Sequence, residues 1–321
     1  MSPRPLILLT NDDGFFAEGL QALVRGLRGL GRLVVVAPDR EKSASSLALS
    51  LRTPLRVQKI GRDTHAVDGT PADCVYLALK KFVPRAPDLL ISGMNPGPNL
   101  GQQDVSYSGT VGAAIQGTFF QVPSVAVSLI ADADGDFHFL EAARFVRRLA
   151  ARLLARRMPE GVTLNVNIPP PPARGIRITR IGIKRYEPEI IEKKDPREIS
   201  YFWIGRGNPR TIGARETDVA AARDGYISLT PLRIDPTDTA AMRSPSDPAR
   251  VASRVPNSSP PSRTSTWGSG DCSTPASASS ASNCRTPSIP RFDRLKVPPW
   301  NSSRLILRLW ALCHRWAARW H

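Results

Sequence analysis

Leu6-Ile7-Leu8-Leu9-Thr10-Asn11-Asp12-Asp13-Gly14 is the stretch on which the reading of this chain turns. Its apolar run reads as a short strand buried on both faces, of the kind found in the middle of a parallel sheet. Asn-Asp-Asp-Gly then delivers two adjacent carboxylates to the end of that strand. Neighbouring side chains of a continuing strand point to opposite faces, so Asp12 and Asp13 converge on one object only if the backbone turns there. Gly14 permits the turn. Two like charges at the mouth of an apolar core are unfavourable unless something positive neutralises them, and a hard divalent cation with oxygen ligands does so. The competing reading is a polar turn that caps the next helix.

Working outward, the first 170 residues alternate strand and helix patterns, which predicts βαβ units. The expected fold is α/β, a Rossmann-like, mostly parallel sheet with helices on both faces. Leu20, Leu23, Val24 and Leu27 stand at helical spacing within a helix expected from Gly19 to Leu30 and closed by Gly31. Leu33 to Ala37 predicts a second buried strand, ending at Pro38-Asp39-Arg40 and a polar loop from Ser43 to Ser46. Leu47 to Ile60 alternates enough for one or two strands. Thr70 and Pro71 read as the cap and first residue of a helix that carries Cys74 as a core thiol. Asp88 to Ile91 predicts another buried strand, running into a loop from Ser92 to Gly101.

That loop holds three Gly and two Pro within ten residues, a density that fixes a backbone shape. It presents Asn95 and Asn99, and an amide oxygen is a neutral, hard ligand able to complete a site that already holds two carboxylates. Ser108-Gly109-Thr110 follows at the expected start of a helix, where free backbone N–H groups and hydroxyls make an anion site. Simple capping is the alternative there. In open parallel sheets the ligand sits beyond the C-terminal ends of the strands. Asp12-Asp13, the Ser43 loop and the Asn95 loop each follow a separate buried strand, so all three reach one edge. Oxygen ligands for a metal beside a helix N-terminus for phosphate predict metal-assisted phosphoester hydrolysis.

Charge and composition narrow the classes. The chain has 44 Lys and Arg against 28 Asp and Glu, a net charge of +16. Beyond residue 240 the balance is 12 against 3, so the first 240 residues carry only 32 against 25. The catalytic part is mildly basic, suited to an anionic substrate and without a specific nucleic-acid signature. The same boundary is compositional: beyond it there is no Glu, Ser and Pro cluster, and five of the six Trp and three of the four Cys appear. Disorder is expected from Met242 to about Pro299. From Arg304 to His321, four Arg fall on one side of a helical projection, either a basic amphipathic segment or a chance pattern. Four Cys at irregular spacing predict neither a disulfide framework nor a zinc site. No apolar run long enough to span a membrane occurs, and no signal peptide opens the chain, which predicts a cytoplasmic location.

The motifs form an ordered set. Leu-Leu-Thr-Asn-Asp-Asp-Gly at 8–14, Val-Ala-Pro-Asp-Arg at 36–40 with Ser43, and Gly-Thr-Pro-Ala-Asp-Cys-Val at 69–75 come first. Ser-Gly-Met-Asn-Pro-Gly-Pro-Asn-Leu-Gly at 92–101 and Tyr-Ser-Gly-Thr-Val at 107–111 follow. Together they resemble the SurE family of 5′/3′-nucleotidases, and the resemblance extends through Leu164 to Pro169, Tyr201 to Gly205, Thr217-Asp218 and Gly225 to Leu232, covering roughly residues 5–240. It implies that Asp12, Asp13, Ser43 and Asn95 ligate one divalent cation, Mg²⁺ or Mn²⁺, with Asp12 and Asp13 as the catalytic pair. It implies that Asn99, Ser108, Gly109 and Thr110 line the phosphate site. The implied reaction is attack of a metal-activated water on a nucleoside 5′-monophosphate, with 3′-monophosphates and polyphosphate as further substrates. A homodimer or homotetramer is also implied, through an extended β-hairpin region. The expected organisation is a catalytic core at 1–175, a hairpin and oligomerisation region at 176–240 that returns to the core, and a low-complexity basic tail at 241–321.

Two departures from the family pattern stand out. Gln102 to Ser106 is one residue longer than expected, and the tail replaces a short helical ending. A reading-frame slip near residue 240 is one hypothesis for the tail. No side chain is assigned as proton donor to the leaving oxygen, since His65, His138, His314 and His321 match no motif. A rival class, the aspartyl-phosphate phosphatases, spaces its two carboxylates two residues apart, whereas here they are adjacent. A dinucleotide-binding protein lacks support because no G-x-G-x-x-G follows the first strand. A non-catalytic phosphate-binding or nucleic-acid-binding protein with a basic tail is the remaining alternative.

Overall fold

The computed structural model describes residues 4–156, 158–205, 207, 209–212, 215–239 and 242. The expected disordered stretch, apart from Met242, and the segment from Arg304 to His321 lie outside the described residues. Residues through Pro236 pack as one compact unit.

Strand β1 (Leu6–Thr10) is buried along its whole length. Its alternate side chains enter two separate cores: Ile7 and Leu9 on one face, Leu6 and Leu8 on the other. Helix α1 (Glu18–Leu27) follows and presents Leu20, Leu23 and Leu27 to the first core. Then come β2 (Arg32–Pro38), β3 (Val57–Gly61), β4 (Thr64–Val67) and α2 (Pro71–Leu77), which continues as one π-helical turn, Ala78–Phe82. Strand β5 (Leu89–Pro96), α3 (Gly101–Tyr107), α4 (Gly109–Phe119), β6 (Ser124–Leu129), α5 (Phe139–Ala155) and β7 (Val162–Ile168) complete the core up to residue 168. Helix α5 joins α1 over the first core, while α2 and α4 supply Cys74, Val75, Val111 and Ala113 to the second.

Among the described residues one nine-stranded sheet runs in the order β3-β4-β2-β1-β5-β6-β7-β13-β8, where β8 is Ile176–Ile178 and β13 is Ile227–Arg233. From β4 to β7 every neighbouring pair is parallel. The chain winds from β1 outward through β2 to β4, then crosses to β5 on the other side of β1. That reversal opens a crevice between the C-terminal ends of β1 and β5. The α/β architecture is as the sequence predicts.

Some local expectations shift. Of the Leu47 to Ile60 stretch only the part from Val57 on is strand, within β3, because the preceding segment is tied to the start of α2: Ala48 O accepts from Thr70 Oγ1 at 2.7 Å and Ser50 donates twice to Asp73. Strand β5 runs on to Pro96, since β6 keeps pairing with it through Asn95↔Ser128 and Pro96↔Leu129 after a register irregularity. Helix α1 stops at Leu27 rather than Leu30. Residues 102–106, the longer segment, are helical within α3.

Between β8 and β13 the chain forms an arm. At its root β9 (Ile183–Arg185) pairs antiparallel with β12 (Arg210–Ile212), and further out β10 (Ile190–Lys194) pairs with β11 (Ser200–Ile204) in the register Ile191↔Trp203. Helix α6 (Asp218–Arg223) leads back to β13, which pairs antiparallel with β7.

Leu9 lies wholly within the first core. Leu9→Ala is expected to destabilise the protein by about 2–5 kcal/mol, the transfer and cavity cost of a closely packed leucine. Urea unfolding measures it, and a loss below about 1 kcal/mol would mean that this core collapses around the gap.

Candidate active site

The end of β1 is the centre of the site. Asn11 is fully buried and donates its amide to Gly14 O at 2.9 Å, closing the turn. Gly14 has φ +104° and its Cα faces the Arg40 backbone, where a Cβ would stand 3.0 Å from the Arg40 carbonyl carbon. Phe15 N–H donates to Pro38 O and Lys42 N–H to Asp12 O, both at 2.7 Å, so the turns after β1 and β2 are fastened together. The Asn-Asp-Asp-Gly sequence thus brings its two carboxylates to the crevice beside β5.

The N-terminus of α4 closes one side. Ser108 is its N-cap, with the hydroxyl accepting from Val111 N–H at 3.1 Å. Thr110 donates its hydroxyl to the Asp12 carboxylate. A Cβ on Gly109 would lie 2.9 Å from the Asp12 Cβ and 2.7 Å from Ser45 Oγ, so glycine is what lets the helix end approach Asp12 so closely. Residues expected at the phosphate site and the metal site are therefore joined directly, with the positive end of the helix dipole toward the carboxylate.

Asn95 and Asn99 close the other side. Asn95 donates its amide N–H to Gly97 O at 2.7 Å, which leaves Oδ1 as its remaining ligand atom. Asn99 is buried and donates to Ser128 Oγ at 2.7 Å. Its backbone is gripped from β7: Asn99 N–H donates to Asn167 Oδ1 at 2.8 Å, and Asn99 O accepts from Asn165 and Asn167 at 2.9 and 3.1 Å. Asn165 and Asn167, two residues apart on one strand face, hold this loop, a role that sequence reasoning did not assign.

Ser43 lies on the loop after β2 and bonds neither Asp12 nor Asp13. It is exposed and its hydroxyl donates to Glu41 at 2.8 Å. In its neighbourhood Ser45 Oγ is buried without a hydrogen-bond partner beside Gly109, and Ser46 is tied to α3 through Tyr107 O and Ser106 O. Sequence reasoning pointed to this loop and to Ser43, and it missed Ser45, whose only signal was membership of the same serine cluster.

Electrostatics favour a cation here. Burial raises the Asp12 carboxyl above its ordinary value, against the opposing hydrogen bonds from Thr110. Burial also pushes Asp13 up to about 7, aided by the charges of Asp12 and Glu41. Asp13 Oδ2 is buried with no hydrogen-bond partner. A buried and a half-buried carboxylate, one oxygen orphaned, with an amide oxygen and hydroxyls on the neighbouring loops, form a donor set that fits a hard divalent cation. Among the described residues no cluster of three His, Cys, Asp or Glu side chains is placed to hold a metal, so such a site relies on the amide and hydroxyl oxygens.

Without a cation, Asp13 binds a proton in the folded state that the unfolded chain has released between pH 3.8 and about 7. Stability of the metal-free protein therefore falls as pH rises through that window. A cation needs the ionised carboxylates and reverses the trend. Thermal unfolding with EDTA or Mn²⁺ at pH 5 and pH 8 is expected to show the wider gap at pH 8, and an equal gap at both would remove Asp13 from the ligand set.

The model of the family described as "Survival protein SurE" matches residues 7–188. The protein named 5′-nucleotidase SurE in Pelobacter propionicus is 46% identical over 240 residues, spanning 74% of this chain and 96% of that protein. Its namesake in Vibrio cholerae is 46% identical over 242 residues, 74% of this chain and 95% of that protein. The crystal structure of the SurE protein from Aquifex aeolicus superposes with a TM-score of 0.64 at 38% identity, covering 74% of this chain and 97% of that one. With the motifs, the parallel sheet and the crevice between β1 and β5 all in agreement, the chain belongs to the SurE family.

Proposed function

We propose that this chain hydrolyses nucleoside 5′-monophosphates to nucleoside and inorganic phosphate in the crevice between β1, β5 and α4. The observation that carries the reading is the adjacent pair of buried Asp12, bonded by Thr110 at the N-terminus of α4, and half-buried Asp13, one of whose oxygens is buried without a partner. It is supported by relatives that bear the name 5′-nucleotidase at 46% identity.

Asp12, Asp13 and Asn95 would hold one Mg²⁺ or Mn²⁺, with Ser43 joining when its hydroxyl leaves Glu41. Bound there, the cation supplies Lewis acidity, activating water and offsetting charge on the phosphoryl oxygens. Thr110 keeps Asp12 oriented, and Ser108 caps α4 so that the helix end faces the anion. Asn99, Ser108, Gly109 and Thr110 receive the phosphate, and the grip of Asn165 and Asn167 on Asn99 fixes that side before the substrate arrives. 3′-Monophosphates and polyphosphate are further substrates of the same site, since all present a terminal phosphoryl group.

The active form is an oligomer. Ile190, Phe202, Trp203 and Ile204 are exposed on the β10–β11 hairpin, more apolar surface than a solvated hairpin carries without a partner. Light scattering is expected to show a dimer or tetramer that Trp203→Glu shifts toward monomer; a wild-type monomer would refute this part.

Phosphate release from nucleoside 5′- and 3′-monophosphates and polyphosphate, with Mg²⁺, Mn²⁺ or EDTA, tests the activity. Turnover is expected with metal alone, and Asp13→Asn is expected to lower kcat/KM by at least about 10²-fold, the scale for removing one group that stabilises transition-state charge. No turnover from folded, metal-loaded protein would refute the hydrolase reading. Nucleic-acid retention that requires the basic tail, again without turnover, would favour a binding module.

A further inference from the structure

Helix α3 connects the two ends of the proposed phosphate site, with Asn99 two residues before its first residue and Ser108 directly after its last. Seven residues make too short a helix to hold its own place, and only Gly101 among them is buried. Its strongest polar ties run to the root of the arm rather than to the sheet. Gly101 N–H donates to Asp218 Oδ2 at 2.9 Å, while Asp218 Oδ1 accepts from Gly182 N–H at 2.8 Å. Gln102 N–H donates to Gly182 O at 2.9 Å, and Tyr186 N–H to Gln103 Oε1 at 3.0 Å. Lys184 Nζ meets Asp104 Oδ2 at 2.6 Å, with the two side chains only 12% and 10% exposed. A Cβ on Gly101 would stand 2.8 Å from the Lys184 Cβ, so helix and arm root are in close contact.

We propose that Lys184 and Asp218 are positioning residues for the phosphate site: they fix α3 to the arm's root and, through α3, set where Asn99 and Ser108 stand. The proposal rests on the reading of that site as a phosphate site. The tie acts on Asn99 and Ser108 more than on the metal groups: Asp12 is joined to Thr110, but α4 is packed into the second core and the Asp12 backbone is held by Lys42 N–H, and among the described residues neither Asp12 nor Asp13 bonds the arm. Loosening α3 therefore weakens phosphate binding and changes metal binding little. A charge removed on one side only would leave its partner buried and alone, so a variant that removes both is needed alongside.

Lys184→Met, Asp218→Asn and the double variant Lys184→Met/Asp104→Asn are compared with wild type and with Lys184→Arg. Calorimetric titration with inorganic phosphate and, separately, with Mn²⁺ alone accompanies KM and kcat for a nucleoside 5′-monophosphate. The phosphate Kd and KM are expected to rise about tenfold or more in the first three, the scale for supporting groups behind a ligand site, with the Mn²⁺ Kd within about twofold of wild type. Lys184→Arg is expected to restore most of the loss. Unchanged phosphate affinity in the variants, or phosphate and Mn²⁺ affinity falling together with the melting temperature, would overturn the proposal. Wild-type protein that binds phosphate yet hydrolyses no nucleotide would refute the hydrolase reading alone, and the variants' phosphate Kd would still decide this one. Wild-type protein that binds no phosphate would overturn it.

Discussion

Placing two adjacent carboxylates at the end of a fully buried strand is the constraint around which this molecule is arranged. Asp12 and Asp13 inherit their low-dielectric surroundings from β1, whose residues pack into cores on both faces of the sheet. In such surroundings a negative charge is unfavourable, and a second beside it more so. The fold answers with the N-terminus of α4, whose Thr110 binds Asp12, and with a set of neutral oxygen donors at the crevice. Asp13 is left with a buried oxygen that no protein group satisfies. A divalent cation is the kind of partner that would relieve that state.

Two further buried carboxylates hold the frame rather than the ligand. Asp73 completes the capping box of α2 with Thr70, and its oxygens also receive Ser50, which fastens the loop that carries Ser43 and Ser45. Asp218, at the first turn of α6, reaches Gly101 and Gly182. Each acid uses a helix N-terminus to stabilise its charge while it binds a loop distant in sequence. The motifs at 69–75 and 217–218 thus tie down the loops around the crevice.

Much of this was legible in the sequence, for physical reasons. The apolar run of Leu6 to Leu9 and the helical spacing of Leu20, Leu23 and Leu27 reflect burial directly, so the sheet and its helices could be read from pattern alone. Asp12 and Asp13, the Ser43 loop and the Asn95 loop could be placed on one edge because each was read as following a buried strand, and Ser108 could be read as a helix start. Ser43 shows the limit: its place in the loop was read correctly, but its hydroxyl bonds Glu41, and no local pattern encodes that choice. The roles of Asn165, Asn167 and Asp218 depend on partners brought close only by the fold. Where strand β5 ends was equally hidden, because continued pairing with β6 decides it.

The crossing from β4 back to β5 also makes the site a late event for the growing or refolding chain. Asp12 and Thr110 are 98 residues apart, and Asn165 meets Asn99 across another 66. None of these groups gains its partner from local structure, and contacts of such long range are slow to close. The charged pair stays in water, where its repulsion is screened, until the central strands have come together. An assembled crevice around Asp12 therefore reports that the whole parallel sheet has formed, and a chain arrested with only β1 and β2 paired would lack the α4 and β5 walls of that crevice.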